Sequence, residues 1–269
     1  MTGPVPPGDD LGHLVRLTRP ARRVVSLVPS LTESVAVTRP GALVGATTWC
    51  THPADLDVAR VRGTKNPDLA AIAALRPDIV LANQEENRRV DVERLRAAGV
   101  TVWVTVIRDL EEALASLRRM FGVALGWPEP PWLARAEQVW SEPVPGPRIQ
   151  AAIPIWRDPW MVVGPGTFTG DLAGRLGLDN VYADQAGRYP RADQAGRYPR
   201  VDLAELAARR PSLIVLPDEP YPFSAVDGPE MFPDHQVALV QGRDLTWYGP
   251  SLVTARPALL SRLQAAVSR

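Results

Sequence analysis

Two stretches of the chain carry the same order of polar and apolar positions and superimpose without a gap: residues 68–85 and residues 202–219. Each opens on an aspartate, Asp68 or Asp202, that can cap a helix by accepting a backbone N–H of its first turn. Alanine and leucine follow, good helix formers with little side-chain entropy to lose. Each helix then meets Arg-Pro, at Arg76-Pro77 and Arg210-Pro211, where the α conformation is disfavoured before proline and a backbone donor is missing. The unbroken apolar runs that come next, Ile79-Val80-Leu81 and Leu213-Ile214-Val215-Leu216, read as strands buried on both faces. Both end in acids. Elsewhere the pattern predicts strands at 24–28, 43–47, 100–107, 149–153, 161–163, 181–182 and 237–240. It predicts helices from Ser30 with Glu33 as a capping box, and at 91–98, 110–125, 133–140, 167–176 and 252–267.

A helix-to-strand unit repeated once per half predicts an α/β protein: two Rossmann-like lobes with parallel sheets joined by a helix, and a ligand cleft between the lobes. The expected divisions are an N-terminal extension at 1–22, an N-terminal lobe at 23–126, a linking helix and Pro-rich connection at 127–147, and a C-terminal lobe at 148–269. The boundary falls where prolines are dense, because such segments hold no hydrogen-bond ladder but stiffen a connection. Residues 183–191 are repeated letter for letter as 192–200, which reads as a duplication tolerated in a surface loop.

Composition narrows the function. The 269 residues carry 30 basic and 30 acidic side chains, so neither nucleic acid nor an anionic membrane is indicated. Cys50 is the single cysteine, and no internal disulfide can form. No stretch approaches the ~20 apolar residues of a membrane span, and the start lacks the apolar segment of an export signal. The chain as written is expected in the cytoplasm as a monomer, or outside the membrane if an export signal has been removed.

Candidate binding residues lie in the segments after strands. Trp49, Trp156, Trp160, Trp247 and Tyr248 fall outside core spacing and offer area to a flat ligand; the same pattern also suits aromatics of a core or a lobe surface. Lys65, the chain's one lysine, sits in Gly63-Thr64-Lys65-Asn66-Pro67 and can meet a propionate, carboxamide or phosphate, or simply be solvated. Glu85, Glu86 and Asn87 end one repeated strand, Asp218 and Glu219 the other; such acids bind a cation, share a proton, or form a wet strand end. Cys50 and His52, spaced to share one face of an extended segment, are weak metal candidates, since two ligands fall short of a structural zinc site. No nucleophile elbow, phosphate-binding glycine loop or zinc-protease helix occurs, and no catalytic residue or cofactor is expected.

The segments 23–33, 63–69, 75–80 and 95–100 resemble the class III substrate-binding proteins, the helical-backbone metal receptors that include vitamin B12-, ferric-siderophore- and haem-binding proteins of ABC importers. The resemblance runs over nearly the whole chain from Arg23. It implies two α/β lobes joined by one long helix, with a metal chelate held between them, and it aligns Trp49 and Trp247 near aromatics that contact corrinoid. It adds Thr64 to the ligand-binding set of Trp49, Cys50, Lys65, Glu85, Glu86, Asn87, Trp156, Trp160, Glu219, Trp247 and Tyr248. Three departures stand out. The glutamates that dock family members onto a permease align with Ala70 and Ala204, the export signal is missing, and residues 131–141 as a helix span only about 16 Å at ~1.5 Å per residue. The expectation is a non-enzymatic binder of a corrinoid, haem or ferric-siderophore chelate without permease docking. The alternatives are an importer subunit, or an enzyme or biosynthetic accessory protein that reuses the cleft acids.

Overall fold

The structure is a computed structural model that describes residues 8–184 and 196–268. The chain forms two compact units. The first comprises Met1–Ile107, Glu111–Ala136 and Tyr248–Pro250, the second Arg108–Leu110, Glu137–Trp247 and Ser251–Arg269. Most of the expected duplicated loop lies outside the described residues.

In the first unit the strands are β1 (Val24–Ser26), β2 (Leu43–Ala46), β3 (Ala59–Arg60), β4 (Arg62–Gly63), β5 (Asn66–Pro67), β6 (Ile79–Asn83) and β7 (Val102–Thr105). The helices on this part of the chain are α1 (Pro29–Thr38), α2 (Leu69–Ala74), α3 (Arg89–Ala97), α4 (Leu110–Arg119) and α5 (Pro131–Ser141). Five strands form a parallel sheet in the order β3-β2-β1-β6-β7, and β4 pairs with β5 as a small antiparallel hairpin. The second unit contains β8 (Ile149–Ala152), β9 (Pro154–Trp156), β10 (Met161–Val162), α6 (Phe168–Arg175), β11 (Leu178–Asn180), α7 (Leu203–Ala208), β12 (Leu213–Pro217), β13 (Gln236–Val240), α8 (Gly242–Thr246) and α9 (Leu252–Val267). Its sheet is parallel, in the order β11-β8-β12-β13, with β9 and β10 as a second antiparallel hairpin.

The repeated sequence folds the same way twice. Asp68 Oδ1 accepts the Ala71 N–H at 3.0 Å and Asp202 Oδ1 the Glu205 N–H at 2.6 Å, so both aspartates cap their helices. Arg76 and Arg210, each before a proline, adopt the left-handed region at φ 46° and 50° and turn the chain into β6 and β12. All five residues of either strand are buried, as helices on both faces of a parallel sheet require.

Four local expectations are corrected. Helix α1 begins at Pro29, with Val28 as its cap and no side-chain cap bond, so Ser30 lies inside the first turn. Proline at the first helical position presets φ and needs no donor, which moves the start upstream of the expected capping box. The helix from Leu110 changes to a π turn at Met120–Leu125. The strand expected at 181–182 lies earlier, at Leu178–Asn180; Val181 still donates its N–H to the Ala151 carbonyl of β8 at 2.9 Å, but with Tyr182 it already belongs to the turn that follows. The loop 63–67 contains the β4–β5 pairing.

The segment before β1 is tied into the first unit. Sheet edge β7 meets Asp9 and Asp10: the Asp10 N–H donates to the Val104 carbonyl at 3.1 Å, while Asp9 Oδ2 accepts the Val104 N–H at 3.2 Å. Asp10 Oδ2 accepts the Val106 N–H at 2.8 Å and the Ser116 hydroxyl at 2.6 Å. Polar groups on the edge strand are thereby satisfied and closed to further strand pairing.

Candidate functional site

In an open parallel sheet, ligands gather beyond the C-terminal ends of the strands, where strand order reverses. The first sheet reverses between β1 and β6, since the chain builds outward through β2 and β3 on one side and through β7 on the other. Four sequence elements meet there. Asn83, at the end of β6, accepts the Glu85 and Glu86 N–H groups on Oδ1 at 2.8 and 3.3 Å, folding the acidic segment back over the strand. Buried Asn87 then ties three pieces together. Its Nδ2 donates to the Leu27 carbonyl at 3.3 Å and the Thr64 carbonyl at 3.0 Å, and its Oδ1 accepts the Asn83 N–H at 2.9 Å. Asn87 is therefore a brace, and Thr64 contributes its carbonyl to that brace. The Lys65 ammonium donates to the Glu85 carbonyl. Partial burial pushes its pKa down, and the Glu86 carboxylate works against that shift.

Tyr248 belongs to the same unit. Its hydroxyl donates to Glu86 Oε1 at 3.4 Å, and burial, reinforced by Glu86, pushes the phenol well above its ordinary value. It is a neutral donor at any physiological pH. Trp49, following β2, is 65% exposed, with its indole Nε1 3.2 Å from where a Cβ on Gly63 would lie. Glycine at 63 is what lets the indole rest on the β4–β5 hairpin.

The second sheet reverses between β8 and β12. The chain leaving β8 passes through β9 to Trp156 and Arg157, and the chain leaving β12 reaches Asp218, Glu219 and Tyr221. Trp156 is 42% exposed and meets the Tyr221 ring edge-on, with centroids 5.8 Å apart. Asp218 Oδ1 accepts the Gly242 N–H at 2.7 Å at the start of α8. Gly242 approaches so closely that an added Cβ would sit 2.2 Å from Glu219 Cγ. Burial pushes the Glu219 carboxyl up, although Trp247 and Thr246 side chains hydrogen-bond to it. Trp247 is itself buried, with the Arg243 guanidinium 6.0 Å from its ring centroid.

The raised Glu219 carboxyl has a pH signature. A carboxyl whose folded pKa lies above its unfolded value contributes stability that is complete below the unfolded value, about 4.3, and is lost as pH rises through the folded one. Glu219→Gln is expected to lack that loss, so its stability relative to wild type should improve between pH 4 and pH 7. Urea midpoints at the two pH values check this; an unchanged difference would count against it.

Like Trp247, two further expected ligand contacts lie inside the protein instead. Cys50 is fully buried, its thiol within 3.0 Å of the Thr32 hydroxyl and 3.2 Å of the Thr47 hydroxyl, and burial pushes its pKa up. It presents no surface at which a metal or chelate can reach sulfur. Its expected partner His52 instead has Nδ1 3.1 Å from the Thr51 hydroxyl. Trp160 is a core residue, stacked on Phe223 at 5.9 Å and edge-on to Phe232 at 5.3 Å. Among the described residues, no group of three or more His, Cys, Asp or Glu side chains is placed to hold a metal ion. Nor is any helix among them long and apolar enough to cross a membrane. Asn83, Tyr221 and Asp227 escaped sequence reasoning. Only the aromatic run Tyr221-Pro222-Phe223 after β12 carried a signal for any of them.

No protein-family model matches the chain. The vitamin B12-binding protein of Pectobacterium carotovorum is 23% identical over 91% of this chain and 89% of its own length. The periplasmic vitamin B12-binding protein of Vibrio cholerae superimposes with a TM-score of 0.72 at 18% identity, over 93% of this chain and 99% of that one. The periplasmic haem-binding protein from Roseiflexus sp. RS-1 in its apo form does so with a TM-score of 0.74 at 19% identity, over 92% of this chain and 99% of that one. The fold is thus that of the class III substrate-binding proteins, the helical-backbone metal receptors, and the resemblance read from the sequence extends along nine-tenths of the chain.

Proposed function

We propose that this chain is a non-enzymatic binding protein for a metal chelate of corrinoid, haem or siderophore class, a corrinoid being the best supported of the three. The observation that carries the reading is the place of the exposed aromatics: Trp49 follows β2, the neighbour of β1 in the first sheet, and Trp156 ends β9, the hairpin strand the chain enters on leaving β8 at the reversal of the second sheet. Large flat side chains in those places suit a ligand with an extended apolar face. Trp49, Lys65, Glu85 and Glu86 are the contacts we assign to the first unit, and Trp156 and Glu219 those of the second, with buried Trp247 holding Glu219 by a hydrogen bond. Asn87 and Thr64 hold the first set in place, and Tyr248 orients Glu86. A relative named for vitamin B12 supports the corrinoid assignment.

Ala70 and Ala204 are both exposed on their helices, and a methyl group there makes no charge-assisted bond to a permease arginine. Docking through that pair of positions is therefore left out of the proposal. For location, relatives described as periplasmic support a place outside the cytoplasmic membrane over the cytoplasmic one expected from the sequence.

The test is an absorbance spectrum of the purified protein followed by titration with cobalamin, haemin and a ferric siderophore. Binding of one class at micromolar or tighter Kd supports the reading, and absence of binding by all three overturns it.

A further inference from the structure

Resting on that reading, we propose that the second unit selects chelates whose rim carries amides over chelates whose rim carries carboxylates, through the pairing of Arg157 with Asp227 and Glu230 beside Trp156. A propionate or other carboxylate on a ligand is recognised by a cation with donors to spare. Arg157, the residue after the exposed Trp156, has its charge matched by acids of the protein itself. Arg157 Nη1 donates to Asp227 Oδ1 and, at 2.7 Å, to Glu230 Oε1, while its Nε lies 3.6 Å from the Asp158 carboxylate. The guanidinium is further held 5.6 Å from the Trp160 ring centroid.

The acids are fixed in turn. Asp227 Oδ2 accepts the Tyr221 hydroxyl at 2.8 Å, and the Tyr221 ring is the one that meets Trp156. The Gly228 N–H donates to Glu230 Oε2 at 2.5 Å. One network therefore sets both the pose of the aromatic shelf and the charge beside it. Three carboxylates surround one guanidinium, and the local sum is negative. A ligand carboxylate brought onto Trp156 meets like charge, whereas an amide N–H meets acceptors. Asp158, Asp227 and Glu230 side chains keep 87%, 39% and 46% of their exposure, so the field is partly open to solvent and salt.

A pair of probes isolates the effect: a cobalt corrin with amide side chains, and the same corrin with those amides hydrolysed to carboxylates. At low ionic strength the full-length protein is expected to bind the amide-rimmed corrin about tenfold or more tighter, and the gap should shrink in 0.5 M salt. The double variant Asp227→Asn, Glu230→Gln releases Arg157 and should narrow the gap severalfold, mainly by tightening binding of the carboxylate-rimmed corrin. If that variant does not fold, Asp158→Asn at its exposed position should move the gap in the same direction by less. Equal binding of the two corrins, a gap insensitive to salt, or no change in a well-folded variant overturns the proposal while leaving chelate binding intact. Failure of both corrins, haemin and a ferric siderophore to bind overturns the underlying reading as well, and the two results are distinguishable.

Discussion

Replacing Asp9 by alanine is expected to cost about 3–5 kcal/mol of folding stability, the range found when one partner of a buried charge pair is removed. The Asp9 side chain is fully buried, and its Oδ2 meets Arg96 Nη2 at 2.6 Å. It also accepts the N–H groups of Leu11 at 3.1 Å and His13 at 2.8 Å on Oδ1, and of Val104 on Oδ2. Alanine removes all four at once and leaves the Arg96 charge, only 20% exposed, in a site shaped for its counterion. A loss of that size shifts the folding equilibrium by a hundredfold or more. Asp9→Asn keeps an acceptor for the backbone donors and should lose less. Urea denaturation at pH 7 measures both. A shift below about 1 kcal/mol for the alanine variant would show that the segment before β1 adds little to the first unit.

Trp49→Ala has the opposite profile. With 65% of its surface exposed, the side chain should be removable at a stability change within about 0.5 kcal/mol. Ligand affinity is expected to fall by about thirtyfold, roughly 2 kcal/mol, as for a Trp that anchors an interface. Trp49→Phe should recover part of the loss by restoring an aromatic face. Gly63→Ala, whose methyl group would stand 2.6 Å from Asn66 Oδ1 and 3.2 Å from the indole Nε1, should weaken binding by shifting the hairpin and the ring without deleting any ligand contact. Calorimetric titration of the three variants checks the series; unchanged affinity in Trp49→Ala would take Trp49 out of the site.

The repeated unit was legible because its signals are local. An aspartate cap, an alanine helix, an Arg-Pro stop and a branched strand each act within a few residues, and the structure reproduces them in both copies. The closing helix Leu252–Val267 was bounded by comparable local punctuation, while the helix expected at 133–140 extends to Pro131–Ser141, proline being admissible at its first position. Strand order is not local. The reversals beside β1 and β8 depend on which strands pair, so the meeting of Asn83, Asn87 and Leu27 could not be read from spacing. Asp9 and Asp10 sit in a Pro- and Gly-rich stretch that reads as an extension, and only the edge of β7 gives their carboxylates a purpose. Cys50 and Trp160 show the reverse error. Their place in segments after strands points to a ligand-facing role, but both segments fold inward, one onto Thr32 and Thr47, the other onto Phe223 and Phe232.

The chain returns to its first unit for Tyr248–Pro250 and then resumes the second. Gly249 fits against α1 there, where an added Cβ would stand 2.9 Å from Ser34 Oγ and 3.0 Å from the Ser30 carbonyl. Splitting the gene at the proline-dense connection would therefore yield an N-terminal fragment that lacks a piece of its own interior, including the phenol that reaches Glu86. Neither half is a self-contained module, and shuffling one lobe for a homologue's would require the donor tripeptide to travel with the other half.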